Sequence, residues 1–233
     1  MTRMTRIIAE CGLNFGGSLD KAVALANAAL DAGADYIKFQ FLTDPYRTAR
    51  SRSMCPEVAE VWARTIPRMD IVEWRTLMDH IPRERRMLSV FAPIDVIRAT
   101  GLQVDALKVG HLEAQTALPK LARQYARTLF VTGSTGIVCE GWMRCVPKYP
   151  CTLAEATSLI DDLPQVGYSD HTGPDLDAAR YALARHRSHP LDQPGGIQAI
   201  EVHVHLDGCK GCTDHAVSKS MTQLAILCAE AHA

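Results

Sequence analysis

Two runs decide the fold: Arg6-Ile7-Ile8-Ala9-Glu10-Cys11-Gly12 and Tyr36-Ile37-Lys38-Phe39-Gln40-Phe41. Each is a short apolar stretch of β type. Between them lie a Gly-rich loop through Gly17, Ser18 in an N-cap position, and an Ala/Leu-rich helical stretch from about Leu19 to Ala32 closed by Gly33. That is one strand-helix-strand unit, and the rest of the chain repeats it.

Further strands are expected at residues 87–92, 106–110, 129–132, 142–146, 165–169 and 197–205, and helices near 71–80, 117–125, 153–163, 176–186 and 218–231. Eight strands in alternation with helices over 233 residues predict one domain, residues 1–233, folded as an α/β (β/α)8 TIM barrel. Only about nine residues, Gly133 to Gly141, separate the fifth and sixth strands. A parallel crossover needs about a dozen. The helix between strands 5 and 6 is therefore expected to be missing or shortened, leaving a stretch of barrel wall for another subunit to cover.

Composition narrows the function. The net charge is −1, which argues against nucleic acid or an anionic membrane as the main partner. No apolar run approaches the length of a membrane span, and Met1-Thr2-Arg3-Met4 does not open a secretory segment, so a cytoplasmic protein is expected. Eight cysteines without an export signal are read mostly as reduced, buried thiols.

In a parallel barrel the C-terminal strand ends share one face, so polar residues there are active-site candidates. Nearly every strand ends this way: Glu10 and Asn14; Lys38 and Gln40; Lys108, His111 and Glu113; Thr132 and Ser134; Lys148 and Tyr149; Ser169, Asp170 and His171; Glu201, His203 and His205. Lys38 and Lys108 inside apolar strands suit a phosphate or carboxylate, although Glu10 also suits a structural ion pair with one of them. Tyr149-Pro150 is equally readable as a simple turn. His171 and His203 stand on adjacent strands, as ligation of a divalent ion requires, and His205 points to the same side as His203. Cys209, Cys212 and His215, with His203 or His205, offer an alternative closed zinc site. A single CxxC without a second pair also fits two unligated thiols in a loop.

Ile8-Ala9-Glu10-Cys11-Gly12-Leu13-Asn14, Ala32 to Gln40, Ala106-Leu107-Lys108-Val109-Gly110, Tyr149-Pro150, Gly167-Tyr168-Ser169-Asp170-His171-Thr172-Gly173, Ile200-Glu201-Val202-His203 and Asp214-His215 with Ser218 resemble, in order, the signatures of the sialic acid synthase family. The resemblance spans roughly residues 6 to 225. It implies a barrel that condenses phosphoenolpyruvate with an N-acetylated amino sugar, N-acetylmannosamine or a relative, to a 2-keto-3-deoxy acid sugar with release of phosphate. It implies a divalent metal, Mn²⁺ or Mg²⁺, on His171 and His203, with Glu10, Lys108 and His171 as the catalytic set. It places Lys38, Lys108 and Ser169 on the phosphoenolpyruvate phosphate and carboxylate, with Tyr149 nearby and Glu10 at the sugar, and it implies a homodimer; the strand-end positions add Asn14, Gln40, His111, Glu113 and Asp170 as substrate-contact candidates. The family's Asn-His-Asn-Gly is Asn14-Phe15-Gly16-Gly17 here, its Ser-Thr-Pro is Phe91-Ala92-Pro93, and one of its serines is His111. The antifreeze-like domain that follows the family's barrel is expected to be absent. The readings that compete with this one are a non-catalytic barrel that binds an anion or sugar phosphate, and a metal-dependent barrel aldolase or lyase.

Overall fold

Side chains alternate across a β-strand, so each stave of a closed barrel carries one set of residues for the interior and another for the surrounding helices. A computed structural model describes residues 5–133, 138–162, 167–188 and 198–233. Strands β1 (Arg6–Gly12), β2 (Tyr36–Phe41), β3 (Arg86–Val90), β4 (Ala106–Val109), β5 (Thr128–Thr132), β6 (Gly141–Arg144), β7 (Gly167–Asp170) and β8 (Ala199–His205) pair in parallel in that order. The sheet closes where β1 meets β8, from Arg6 opposite Ala199 to Glu10 opposite His203. The architecture is a (β/α)8 TIM barrel, as expected.

The interior is built in layers. Ile8, Tyr36, Met87, Ala106, Phe130, Met143 and Ala199 form a buried apolar floor of their own. Two residues further along the same strands stand Glu10, Lys38, Ser89, Lys108, Thr132, Cys145 and Glu201, joined by Ser169 of β7, and all of these line one cavity. The intervening residues, among them Ile7, Ile37, Leu88, Leu107, Leu129, Tyr168 and Ile200, face outward into the second core.

That second core is shared with helices α1 (Leu19–Asp31), α2 (Pro45–Ser51), α3 (Pro56–Thr65), α4 (Ile71–Asp79), α5 (Pro93–Thr100), α6 (Leu118–Tyr125), α7 (Leu153–Asp161), α8 (Asp177–Arg187) and α9 (Met221–His232). Ser18 caps α1 by accepting from Lys21 N–H, and reciprocal capping boxes start α4 (Asp70, Glu73), α7 (Thr152, Glu155) and α9 (Ser220, Gln223). Among the described residues no helix is long and apolar enough to cross a membrane.

The structure differs from the sequence reading in several places. Helices α2, α3 and α5 were not expected, and each begins with a proline in its first turn. The third strand stops at Val90 because Phe91 and Ala92 lead into α5. The sixth strand ends at Arg144, so Cys145 and Val146 follow it. The last helix starts at Met221, because Lys219–Ser220 form a short strand, β9, beside β8. No helix stands between β5 and β6 among the described residues. The expected strand-7 start at Gln165, strand-8 start at Ile197, helix end at Leu163 and the residues Met1 to Met4 and Ser134 lie outside the described residues. All eight cysteines are free thiols, yet only Cys11, Cys151 and Cys228 are buried.

The start of α5 is fixed by one buried carboxylate. Asp95 accepts from Thr43 N–H (2.9 Å), Thr43 Oγ1 (2.5 Å), Phe91 N–H (3.1 Å) and Ala92 N–H (2.9 Å), tying the end of β3 to the segment that follows β2. Asp95→Ala strands those donors and should cost about 3 kcal/mol. Urea unfolding measures it, and a loss below about 1 kcal/mol would contradict this role.

Candidate active site

The charged layer sits directly on the apolar floor. Lys108 Nζ donates to both oxygens of Glu201, at 2.6 and 2.7 Å, and Ser169 Oγ donates to Glu201 Oε1 at 2.9 Å. Lys38 Nζ is ion-paired with Glu10, lies 3.3 Å from Glu201 and donates to Ser89 Oγ at 3.0 Å. All of these side chains are at most about 5% exposed. Burial pulls the Lys38 ammonium down to about 7, and Lys108 pulls the same way while Glu201 opposes. Burial also resists ionisation of Glu201, but the ammonium groups of Lys108 and Lys38 outweigh it and hold the carboxyl well below the usual range. The two lysines are thus already matched by two carboxylates.

Above this layer the imidazoles of His171 and His203 stand with ring centroids 5.6 Å apart. Each is anchored through Nδ1. His171 Nδ1 donates to Val146 O at 2.7 Å, and His203 Nδ1 donates to Asp214 Oδ2 at 3.0 Å. An Nδ1 that donates puts the lone pair on Nε2, the arrangement of a metal-ligating histidine, and at His171 that lone pair accepts from a neighbouring tyrosine. Burial, with the positive charges of His203 and Lys108, pushes His171 down to about 3, so it is neutral at physiological pH. Tyr149 stacks on His171 at 4.0 Å and donates its hydroxyl to His171 Nε2 at 2.8 Å.

The Asp214 brace depends on the chain around it. Asp214 N–H donates to Asn14 Oδ1 at 2.9 Å, and Asn14 Nδ2 donates to Val204 O at 2.8 Å. A side chain at Gly12 would bring its Cβ within 2.8 Å of Asp214 Oδ2, so only glycine leaves the carboxylate room to reach His203.

Glu10, Lys38, Gln40, Lys108, His111, Glu113, Tyr149, Ser169, His171 and His203 all line a single cavity of about 320 Å³, a size typical of small-ligand sites. Two expected members do not line it. Asp170 points outward from β7, where it is fully buried, pairs with Lys219 at 2.9 Å and accepts from Tyr168 Oη and from the N–H and Oγ1 of Thr172. It shapes the turn carrying His171. Asn14 likewise joins two loops instead of facing the cavity. His205 lies away from the cavity, against His215.

Sequence reasoning missed other members. Glu201 was noted only as a strand-end residue, yet it bridges both lysines. Arg52 of the α2 end clamps Glu113 Oε1 through Nε (2.8 Å) and Nη2 (2.6 Å) and stacks over Phe91, while Leu42, Trp62, Ile66 and Leu112 form an apolar rim. Phe15, where the family has a histidine, packs with Phe39 and Trp74 in the outer core.

Glu201→Gln leaves two buried ammonium groups with one carboxylate and should destabilise the fold by about 3–5 kcal/mol. The double variant Glu201→Gln/Lys108→Met, which removes both partners, should recover part of that loss in chemical denaturation. A single variant as stable as the parent would refute the pairing.

No family profile matches the chain. It is 26% identical to N,N'-diacetyllegionaminic acid synthase of Campylobacter jejuni over 98% of its own length and 75% of that protein. It is 28% identical to the spore coat polysaccharide biosynthesis protein SpsE of Bacillus subtilis over 94% of its length and 64% of that protein. Among solved structures, the N-acetylneuraminic acid synthetase of Leptospira borgpetersenii superposes with a TM-score of 0.75 at 20% identity, covering 98% of this chain and 83% of that one. Along nearly its whole length the chain is therefore similar to sugar-acid synthases of the sialic acid synthase kind, and it shares their barrel fold.

Proposed function

We propose that the chain condenses phosphoenolpyruvate with an N-acetylated aldose, N-acetylmannosamine or a relative, to a 2-keto-3-deoxy acid sugar. The observation that carries this reading is the stacking of two chemistries in one cavity: a buried Lys38, Lys108 and Ser169 layer suited to an anion, and above it two imidazoles with Nδ1 anchored.

The donor set fits a divalent ion, Mn²⁺ or Mg²⁺, held by His171 and His203. Beside them Glu10 Oε1 is buried without a hydrogen-bond partner among the described residues, a polar atom that needs a ligand or cation. Bound there, the ion supplies Lewis acidity at the aldehyde oxygen.

Charge sets a requirement on this reading. Lys38 with Glu10, Lys108 with Glu201 and Arg52 with Glu113 are each self-neutralised. A substrate carrying two or three negative charges therefore needs positive charge beyond these pairs, and it needs the lysines to share their hydrogen bonds with it. In this reading Lys38, Lys108 and Ser169 hold the phosphate and carboxylate of phosphoenolpyruvate. Its methylene carbon attacks the aldehyde carbon, water adds at the enol carbon, and cleavage of the C–O bond releases inorganic phosphate. Glu10 accepts a sugar hydroxyl, Tyr149 steadies His171, and the rim of Gln40, His111, Arg52 and Glu113 with apolar Trp62 and Ile66 receives the amino sugar and its N-acetyl group. The reaction class also supports a soluble small-molecule enzyme, cytoplasmic and homodimeric like the family.

The test is phosphate release from phosphoenolpyruvate with Mn²⁺ across a panel of N-acetylated aldoses. Aldose-dependent release that is lost in His171→Ala, with the circular dichroism spectrum unchanged, is the expected result. Release that ignores the aldose, or that survives His171→Ala, would overturn the proposal.

A further inference from the structure

The loop between β8 and β9 carries a second cluster that the condensation does not use. His205, Cys212 and His215 offer ligand atoms that all lie within 4.8 Å of one another. Cys212 Sγ is 3.8 Å from His215 Nδ1, the rings of His205 and His215 are 5.1 Å apart, and Cys209 stands three residues before Cys212 on the same loop. We propose that these four residues, His205, Cys209, Cys212 and His215, hold a structural zinc ion.

Zn–S bonds of about 2.3 Å and Zn–N bonds of about 2.0–2.1 Å set neighbouring ligand atoms of a tetrahedron about 3.3–3.8 Å apart. His205, Cys212 and His215 are therefore about 1 Å of side-chain movement from that spacing, and Cys209 is the fourth donor the same loop supplies. A separate observation points to a ligand: His205 Nδ1 is sealed from solvent with no hydrogen-bond partner among the described residues. Leaving such a nitrogen unpaired is costly, and a metal bond satisfies it.

The local chain suits the site. The ligands follow as His-x3-Cys-x2-Cys-x2-His, and Gly208 and Gly211, both at φ +76°, make the turns before each cysteine. His215 N–H donates to Cys212 O at 3.1 Å, closing the second turn. Two thiolates and two neutral imidazoles exactly balance Zn²⁺, and thiolate donors select zinc over the hard Mg²⁺ or Mn²⁺ suited to the cavity. None of the four residues lines that cavity.

Such an ion would act at a distance on the first site. The same loop carries Asp214, which orients His203, and Thr213 Oγ1, which donates to Leu13 O at 3.4 Å. A zinc staple would fix this loop against β8 independently of substrate.

The test is titration of the demetallated full chain with Co²⁺ in excess Mg²⁺, followed by absorbance. The expected result is one Co²⁺ per chain, displaced by one Zn²⁺, with intense tetrahedral d–d bands and sulfur-to-cobalt charge transfer. These bands should be lost in Cys209→Ser/Cys212→Ser and weakened in His215→Ala, whose exposed side chain can be removed without disturbing the core, and they should persist in His171→Ala. Octahedral spectra without charge transfer, bands that survive the cysteine variants, or a Cys209–Cys212 disulfide in the freshly isolated protein would overturn the proposal, whatever the outcome of the phosphate assay.

Discussion

The rest of the site depends on one carboxylate. Two ammonium groups inside an apolar barrel are tolerable only if negative charge stands within hydrogen-bond reach, because burying an unpaired charge costs several kcal/mol. Glu201 supplies it, taking Lys108 with both oxygens, Ser169 with one and Lys38 at 3.3 Å. Three strands that are not sequence neighbours, β2, β4 and β8, are thereby tied at one level. The apolar floor beneath excludes water from one side, and the cavity opens above.

The imidazole pair above obeys a second constraint. A ring can act as a ligand only if its orientation and tautomer are fixed, and here both are fixed by outer acceptors, Val146 O for His171 and Asp214 for His203. Asp214 in turn depends on Asn14, on the missing side chain of Gly12 and on the loop after β8. Residues distant from the cavity thus set the direction of a nitrogen within it, and the proposed zinc staple would extend the same chain of supports.

Much of the barrel was legible because its strands have two faces. Inward and outward residues alternate along every stave, so the β runs, their order and the polar strand ends stand out in the sequence. Helix α3 was missed although Val58, Val61 and Trp62 stand at helical spacing, an apolar set of which the two valines are exposed and only neighbouring Ala59 is buried, and α5 is a short element started by Pro93. The site was legible as a set of strand ends but not as pairs: nothing in one strand records that Glu201 meets lysines from β2 and β4. The placement of Asp170 was misjudged against a signal that was present, since Ser169 and His171 share a face and the residue between them must point the other way. Asn14 follows the strand, where alternation no longer guides the reading. Arg52 could not have been found, because its helix was not.

The central claim is that a divalent ion on His171 and His203 and a phosphate dianion on Lys38 and Lys108 occupy one cavity together. The most direct measurement is the ³¹P relaxation rate of bound phosphoenolpyruvate when Mg²⁺ is replaced by paramagnetic Mn²⁺. The account predicts strong enhancement in the native protein and none in a His171→Ala/His203→Ala variant. Relaxation that ignores Mn²⁺, or enhancement that persists without the two imidazoles, would contradict it.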